Sequence, residues 1–390
     1  MNTGFVSGRN WVSTGSFWDI ARVGCAPDSP ARQDNTTTNF TAPPSLPAGF
    51  PDHSYEGYVR NWTLARDACQ QPLLRGLHGS FIEPVSVNTT HDLVPIFGGS
   101  KLTGLNQDIL IPPAAYLSTS FSGGVYAGTK DPGPPWEEKK GSVVWRGVAS
   151  GGRNREENWK GFHRHRFVAM LNGTAVEQAE TNPDSPQQGK NFHLQSYLVY
   201  GLTATKPMAM GAWLERVTDV GFTNLECFPA VDDRTCSYTS PYFKLVSTIN
   251  MAKQYAYKLL PDPDGNSFSG RYLAFLRSTS APIKATIYSE WHDDRLTPWQ
   301  HFIPMDNTYV DVYGILDYFL GTGEVTGAHD SEARSIADEG KDWAEQVLRT
   351  EDMKIYLLRL LLEYARLCDD RRNDLAFVAD IADSVTGQAP

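Results

Sequence analysis

Residues 255–288 read YAYKLLPDPDGNSFSGRYLAFLRSTSAPIKATIY, and their pattern predicts the central unit of the fold. Short β-rich apolar runs over 255–260 and 283–288 indicate strands, and the run RYLAFLR over 271–277 indicates a helix between them. A strand, a helix and a second strand form the repeating unit of a parallel sheet. The sequence therefore predicts an α/β fold.

The same alternation extends on both sides of this unit. Upstream, the run VVWRGV over 143–148 predicts a buried strand, and WKGFHRHRFVAML over 159–171 predicts a helix with one basic face. Downstream, residues 331–348 and 353–368 carry apolar residues at helical spacing, so two amphipathic helices are expected to pack back on the fold. The predicted packing stripe of the last helix comprises Ile355, Leu358, Leu362 and Ala365.

Proline, glycine and charged residues divide the chain into regions. The stretch GTKDPGPPWEEKKG, residues 128–141, stacks prolines and charges and predicts a domain boundary at its end. The predicted divisions are an N-terminal domain over 1–141 with a Pro/Thr-rich surface insertion near 25–51, a second domain over 142–330, and C-terminal helices over 331–390.

The composition excludes several function classes. The 390 residues include 35 lysines and arginines against 45 aspartates and glutamates, a formal net charge of −10, so nucleic acid is not expected as a partner. With 41% hydrophobic residues the chain can bury a full core. No apolar run reaches the roughly 18 to 20 residues that cross a bilayer, and the first twenty residues lack a basic start and an apolar core. This chain is therefore expected to carry neither an anchor nor a signal.

Sequons and cysteines together indicate an oxidising lumen. Cys227 and Cys236 bracket a short polar loop suited to a disulfide, and Cys25 and Cys69 bracket the Pro/Thr-rich region. Cys368, on the apolar stripe of the last helix, is expected to be a buried free thiol. No CxxC spacing or histidine pair completes a zinc site. Asn-X-Ser/Thr sequons occur at Asn35, Asn39, Asn61, Asn88 and Asn172.

The densest candidate binding site is DGNSFSGR, residues 264–271. Gly265 and Gly270 permit a close approach of the backbone to a ligand. Ser269 stands where a helix N-cap is expected, and free N–H groups at a helix start attract phosphate. Arg271, one turn into the helix, adds a cation for a diphosphate. The alternative is an ordinary strand-to-helix turn with a serine cap.

A second candidate site follows the strand predicted at 143–148. Arg146 leads into a Gly/Ser turn that carries Ser150 and Arg153, and Arg164 follows in the next predicted helix. Backbone amides and guanidinium groups at the carboxyl end of a parallel sheet are typical of ligand sites in open α/β folds. For Arg164, a solvated basic helix face is the alternative.

A third candidate is the loop EWHDDRLTPWQHFIP, residues 290–304. Its flat aromatic faces suit stacking on a base or a sugar ring, and Glu290 can accept hydrogen bonds from ribose hydroxyls. His301 fits a hydrogen-bonded core histidine better than a base. Asp262 and Asp264 form an Asp-x-Asp pair of the kind that holds a divalent ion, but such pairs in a proline turn are common by chance, so no metal is expected.

These motifs resemble glycosyltransferase family 90, the capsule-associated xylosyltransferases and protein O-glucosyl- and O-xylosyltransferases with a CAP-type domain. The resemblance runs from about residue 69 to residue 378. The motifs that carry it are CQQPLLRGLHGSFIEP, DILIP, KKGSVVWRG, RHRFV, DGNSFSGR, EWHDDRLTPWQHFIP, HDSEARSIADEGKDWAEQVLRTEDM and LLLEYARLCDDRR.

The resemblance implies an inverting, metal-independent transferase that moves xylose or glucose from a UDP-sugar to a hydroxyl of a glycan or protein, as in polysaccharide biosynthesis. It implies a GT-B arrangement of two Rossmann-like domains, with the donor on residues 142–330 and an incomplete N-terminal domain. It also implies a glycoprotein of the Golgi or endoplasmic reticulum lumen, whose full-length form is a type II membrane protein. The implied donor-side residues are Arg146, Arg164, Ser269, Arg271 and Glu290.

One departure from the family concerns the general base. Members carry, upstream of the segment that matches residues 69–112, an Asn-x-x-Asp-x-Pro strand end whose aspartate acts as the base. No such motif precedes Asp108, and Asp108 itself, in DILIP, is the nearest substitute. The chain is therefore expected to be impaired in transfer, as a fragment or as a catalytically silent sugar-nucleotide or glycan-binding relative. A metal-dependent GT-A enzyme that uses Asp262 and Asp264 is the third alternative.

Overall fold

The computed structural model describes residues 16–47, 49–86, 89–90, 92, 94–117, 126–128, 130–182, 191–194, 209–230, 234–322 and 328–375. The strands in these residues are β1 (Ser54–Tyr55), β2 (Tyr58–Val59), β3 (Phe97–Gly98), β4 (Lys101–Leu102), β5 (Ile109–Leu110), β6 (Lys140–Val148), β7 (Thr218–Asn224), β8 (Tyr257–Pro263), β9 (Ala281–Ala285), β10 (Tyr288–Ser289) and β11 (Ile303–Pro304). The helices are α1 (Phe17–Ala21), α2 (Pro30–Gln33), α3 (Trp62–Arg66), α4 (Gly79–Ile82), α5 (Ala114–Leu117), α6 (His163–Met170), α7 (Gly173–Thr181), α8 (Met210–Val217), α9 (Met251–Gln254), α10 (Tyr272–Leu276), α11 (Val312–Leu320), α12 (Asp330–Val347) and α13 (Thr350–Cys368).

A parallel sheet of five strands, in the order β11-β9-β8-β6-β7, lies at the centre of the fold. The predicted α/β class and the predicted strand, helix and strand of residues 255–288 are confirmed. Strand β8 starts two residues later than predicted and continues to Pro263, because α9, capped by Asn250, ends at Gln254 and is followed directly by a turn.

The direction of winding reverses between β6 and β8. From β6 the chain passes to its neighbour β7 on one side, and it then crosses to β8 on the other side before it continues outward to β9 and β11. Numbered along the chain, the strand order is 2-1-3-4-5, one of the two common doubly wound orders. Open α/β sheets bind ligands beside the carboxyl ends of their strands at such a reversal. The loops after β6 and β8 therefore face the expected binding crevice.

Helix α6 is buried along its whole length. Trp145 of β6 packs edge-on against Phe167 of this helix and against Phe222 of β7. Arg166 donates a hydrogen bond to the Leu77 carbonyl and a second one to the Thr308 carbonyl. The α-helix, residues 163–170, is shorter than the predicted range 159–171. The alternative of a solvated basic face is wrong, because carbonyl groups from neighbouring segments accept hydrogen bonds from the guanidinium.

Short elements before Lys140 dock against the central sheet. In the described part of this region no strand exceeds two residues, and β4 pairs with β10 so that Leu102 lies opposite Tyr288. A disulfide joins Cys25 to Cys69, a pairing that the sequence left open. The segment near 25–51 also contributes to the core, since Ala31 is fully buried beside Leu74.

The two C-terminal helices match the predicted positions, but α13 packs through a different face from the one expected. Tyr356 of α13 donates a hydrogen bond to the Leu110 carbonyl, and Tyr364 packs edge-on against Phe97. Met353 is buried in the same hydrophobic cluster as Tyr356. The predicted packing stripe is instead exposed: Ile355 is 55%, Leu358 58% and Leu362 61% accessible, and Cys368 is exposed as well.

Several surface features bear on the compartment. The loop between Cys227 and Cys236, which the sequence marked as suited to a disulfide, is closed by one. The sequon residues Asn35, Asn39 and Asn61 are exposed and Asn172 is partly so, and Asn88 lies outside the described residues. In the part of the chain that the structure describes, none of the helices combines the length and apolar character needed to cross a bilayer.

A glycine contact is expected to hold the N-terminal elements on the sheet. A β-carbon at Gly79 of α4 would lie 1.9 Å from the Gly151 carbonyl oxygen and 2.7 Å from the Phe162 ring. Replacing Gly79 by alanine should therefore lower the free energy of unfolding by about 1 to 3 kcal/mol or more, measured by urea denaturation. Gly141→Ala, which meets no atom within 4 Å, is the control and should change it by less than about 0.5 kcal/mol. Equal midpoints for the two variants would contradict this packing.

Candidate functional site

Arg164 bridges the carboxyl ends of β6 and β8. Its Nη1 donates to the Val148 carbonyl at 3.0 Å and to Ser150 Oγ at 2.8 Å, both after or at the end of β6. Its Nε donates to the Asp264 carbonyl at 2.6 Å, and Nη2 lies 3.4 Å from the Pro263 carbonyl. The arginine that the sequence placed in a helix therefore fixes the two loops of the crevice relative to each other.

Arg271 lies at the same crevice with part of its guanidinium unpartnered. Nη1 donates to the Arg146 carbonyl at 2.9 Å, and Nε lies 3.8 Å from Asp262 Oδ1. Nη2 is buried and has no hydrogen-bond partner among the described residues. The predicted serine cap is wrong: Ser269 donates to Asp262 instead, and Arg271 itself occupies the N-cap position of the five-residue helix α10. Asp262, which follows the apolar run of β8, is the stronger acceptor for that hydroxyl.

The ring of Trp145 supports both guanidinium groups. The Cζ atoms of Arg164 and Arg271 lie 5.5 and 5.4 Å from its centroid, within cation–π range. Burial, together with the neighbouring Arg271, lowers the pKa of Arg164 to about 10, and burial lowers the pKa of Arg271. Guanidinium groups keep their proton at neutral pH, so both groups are cationic there, and their mutual repulsion favours an anion between the two loops.

The two aspartates of the Asp-x-Asp pair already have protein partners. Asp262 accepts a hydrogen bond from Lys284 Nζ at 2.6 Å as well as the bond from Ser269. Asp264 accepts from Thr286 Oγ1 at 2.6 Å and from the backbone N–H of Ile287 at 2.9 Å. Among the described residues, no group of three histidine, cysteine or acidic side chains forms a cation site.

Two histidines stack behind the loop that carries Asp264. The His78 and His163 rings are 3.8 Å apart and nearly parallel. His163 Nδ1 accepts from the Gly79 N–H at 3.2 Å and Nε2 donates to the Asp264 carbonyl at 2.9 Å, so the ring is a neutral imidazole. Burial and the neighbouring His78 hold the pKa of His163 well below its usual range. These rings form a rigid wall between the N-terminal elements and the crevice.

The glycine turn after β6 presents two N–H groups to the loop after β8. Gly151 N and Gly152 N both donate to Asn266 Oδ1, at 2.8 and 2.9 Å. Of the glycines predicted in the loop after β8, Gly265 is buried beside Arg164, and Gly270 faces the ring of Tyr126. The loops predicted as separate candidates thus form one site.

Two predicted donor-side arginines direct their guanidinium groups elsewhere. Arg146 pairs with Asp219 of β7 and donates to the Ser247 carbonyl at 3.1 Å, so that only its own carbonyl reaches the crevice, through Arg271. Arg153 is exposed, and its Cζ lies 4.9 Å from the centroid of the Phe228 ring.

Glu290 belongs to a buried polar network. It is 4% exposed, and its carboxylate accepts a hydrogen bond from the Tyr116 hydroxyl at 2.8 Å. His292 Nε2 lies 3.4 Å from Glu290, and His292 Nδ1 lies 3.5 Å from Asp293, which pairs with Arg66. Burial alone would lower the pKa of His292, but the two carboxylates outweigh it and raise the pKa to about 9. The nearby His301 is a core histidine, as predicted, since its Nδ1 accepts from Thr297 N.

Asp108 lies immediately before β5, on the β3–β5 pair. Its carboxylate is partly buried, and no hydrogen bond to it is found among the described residues. Burial raises the pKa of Asp108, although Lys101 opposes this shift. A β-carbon at Gly99, directly after β3, would lie 3.7 Å from the Phe268 ring of the loop after β8, so this strand pair lies beside the candidate site.

Sequence reasoning missed three residues of the site. Lys284 lies opposite Asp262 in the register of β8 and β9, and a lysine inside a run predicted as a buried strand was the available signal. His78 sits in the quoted motif LHGS and Asn266 in DGNS, but nothing in either pattern indicates their partners. Those partners come from segments at least 80 residues away in the chain, such as His163 for His78 and Gly151 for Asn266.

The pKa of His292 generates a prediction about stability. The pKa of His292 is about 9 in the folded protein, against roughly 6.5 in the unfolded chain. The contribution of the His292 imidazolium to the free energy of unfolding is therefore complete below about pH 6.5 and is lost as pH rises through about 9. His292→Gln should therefore destabilise the protein more at pH 6 than at pH 9.5 in urea denaturation. His301→Gln is the control, because burial lowers the pKa of His301 and its contribution should not fall over that range. A pH-independent difference between wild type and His292→Gln would contradict an imidazolium at this position.

Comparison with known proteins agrees with the motif resemblance. Residues 217–378 match the model of glycosyl transferase family 90, a range that includes β8, α10 and the loop between them. A segment of 83 residues is 34% identical to O-glucosyltransferase rumi of Drosophila pseudoobscura pseudoobscura, and it covers 20% of this chain and 19% of that protein. Over residues 217–378 the chain is therefore similar to glycosyl transferase family 90.

Proposed function

We propose that this protein is a glycosyltransferase that binds a UDP-sugar in the crevice between the carboxyl ends of β6 and β8. The observation that carries the proposal is Arg271, whose Nη2 is buried at the reversal of the sheet without a partner among the described residues. A buried guanidinium N–H is costly unless it is hydrogen-bonded. A diphosphate oxygen supplies that hydrogen bond together with the opposite charge.

The surrounding groups support an anionic donor. Arg164 adds a second buried cation, and the turn at Gly151 and Gly152 adds two backbone N–H groups. In glycosyl transfer, the bond from the anomeric carbon to the diphosphate breaks and negative charge develops on the leaving UDP. Fixed cations and N–H groups stabilise that charge without reorganising during the reaction.

A mechanism without a divalent ion is part of the proposal. Lys284 and Ser269 occupy the carboxylate of Asp262, and a lysine beside a carboxylate repels a second cation. These contacts favour the metal-independent mechanism over the GT-A alternative, in which Asp262 and Asp264 would hold the ion.

The remaining features of the donor and acceptor follow the family. We propose xylose or glucose as the sugar, transferred with inversion to a hydroxyl of a glycan or protein, with the five-stranded sheet as the donor domain of a GT-B arrangement. Two disulfides and three exposed sequon asparagines support a location in the lumen of the endoplasmic reticulum or Golgi. Arg146, Arg153 and Glu290 remain proposed donor-side residues: the Arg146 carbonyl accepts from Arg271, Arg153 is exposed, and Glu290 belongs to the buried network with Tyr116.

Arg271→Ala should weaken UDP binding about 10- to 150-fold, or about 1.5 to 3 kcal/mol, because the charged hydrogen bonds to the diphosphate are lost. Isothermal titration calorimetry with UDP measures this change. Arg216→Ala, an exposed arginine on α8, is the control and should bind UDP like wild type. Unchanged UDP affinity in a folded Arg271→Ala protein would contradict the proposed site.

Asp108 is the proposed general base in this chain, and its replacement tests the chemical step. Its raised pKa and free carboxylate suit proton removal from an acceptor hydroxyl. Asp108→Asn should lower UDP release from UDP-glucose or UDP-xylose, with a serine peptide or a methyl glycoside as acceptor, by about 10² to 10⁴-fold.

The UDP dissociation constant of Asp108→Asn should be unchanged. Asp317→Asn, another partly buried aspartate with a raised pKa, should keep full turnover. Donor binding without measurable transfer in the wild type would instead favour the silent sugar-nucleotide-binding alternative.

A further inference from the structure

The turn after β6 is built so that its two N–H groups keep their direction. Gly151 and Gly152 have φ values of +116° and +124°, a region that side-chain-bearing residues rarely adopt. A β-carbon at Gly151 would lie 2.4 Å from the His163 ring, and one at Gly152 would lie 2.4 Å from the Glu83 carbonyl oxygen. The turn is therefore packed tightly against His163 and Glu83. This packing fixes the direction of the Gly151 and Gly152 N–H groups, whichever group accepts hydrogen bonds from them.

The residue that accepts these two hydrogen bonds, Asn266, is exposed, whereas Gly151 is buried and Gly152 partly buried. Asn266 lies in the loop after β8 with an exposed side chain, and its Oδ1 takes both N–H groups. When an exposed carboxamide leaves such a position, water satisfies its hydrogen bonds, so its departure costs little. The amides behind it lose their partners and are then available to a ligand.

We infer that Asn266 Oδ1 occupies the position of a donor phosphate oxygen and that the side chain swings out when the diphosphate binds. This inference rests on the proposed function and adds a gating residue to it. Two N–H groups that converge on one oxygen suit a phosphate better than an amide, because hydrogen bonds to a charged acceptor are about twice as strong.

Cations flank the same position. Arg164 donates to Ser150, the residue directly before the turn, and its Nη2 lies 3.2 Å from the point where a β-carbon of Gly265 would stand, next to Asn266. Arg271 Nη1 donates to the Arg146 carbonyl, which holds this guanidinium at the end of β6, and its buried Nη2 has no partner among the described residues. A neutral asparagine gains nothing from these charges, whereas a phosphate does, so the exchange favours the donor.

Two substitutions of Asn266 distinguish a residue that braces the two loops from a residue that a bound phosphate displaces, because the two roles predict different changes in ligand affinity. Calorimetry measures binding of UDP, uridine and inorganic pyrophosphate to the wild type, Asn266→Ala and Asn266→Asp. Asn266→Ala removes the competitor and should bind UDP and pyrophosphate as tightly as wild type or up to about tenfold more tightly. Asn266→Asp places a charged competitor on the same amides and should weaken both at least about tenfold, with uridine unaffected.

Asn250 provides matched control variants. Its exposed Oδ1 accepts one backbone N–H, from Ala252 at 3.0 Å, before α9 and far along β8 from the crevice. Asn250→Ala and Asn250→Asp should leave all three affinities unchanged. A crystal structure with UDP should show a phosphate oxygen on the Gly151 and Gly152 amides, with the Asn266 side chain turned away.

Weaker UDP binding by a folded Asn266→Ala protein would overturn the inference, because it would make Asn266 a brace between the loops. Wild-type affinity of Asn266→Asp for UDP would overturn it too, while the proposed function would stand. If the wild type binds pyrophosphate with the expected pattern but not UDP, the UDP-sugar donor fails and the gated phosphate site stands. Absence of binding of both ligands would overturn both.

Discussion

The guanidinium of Arg164 is the constraint on which the crevice depends. A buried cation is tolerated only when its N–H groups are paired, and here the carbonyls of Val148, Pro263 and Asp264 pair with it. These carbonyls belong to the ends of two neighbouring strands. Because Arg164 donates to carbonyls of both strand ends, separating the loops after β6 and β8 would leave the guanidinium and these carbonyls without hydrogen-bond partners.

Among the described residues, the three buried cations of the site differ in how completely the protein pairs them, and only Arg271 is left able to bind a ligand. Lys284 is paired with Asp262, and Arg164 is paired with carbonyl groups. Arg271 shares Asp262 only at 3.8 Å and keeps a buried Nη2 unpartnered among the described residues. The site therefore combines a rigid, fully paired frame with one incompletely paired cation, which is the arrangement expected of a preformed anion site.

The candidate site draws on residues from both sides of the predicted boundary near residue 141. His78 and Gly79 of the N-terminal elements press against His163 and Gly151, and Glu83 accepts from the N–H of Arg153. The glycine turn owes its conformation to this contact as much as to its own sequence. Substitutions in the N-terminal elements are therefore expected to alter ligand binding through the turn, without touching the ligand.

The sequence by itself determined the α/β class, the strand, helix and strand around DGNSFSGR, the glycine and arginine content of the two loops, and the suitability of the Cys227–Cys236 loop for a disulfide. These are local properties, since periodicity, turn residues and bracketing cysteines can be recognised along the chain.

The sequence could not assign the partners of these side chains. The register that sets Asp262 against Lys284 draws Ser269 away from a helix cap, and β7 supplies the aspartate that holds Arg146 away from the crevice. Likewise, periodicity located the apolar stripe of α13, but the aromatic contacts of Tyr356 and Tyr364 decided which face packs. Each of these outcomes depends on strand order and packing between distant segments, and only the tertiary structure fixes which groups meet.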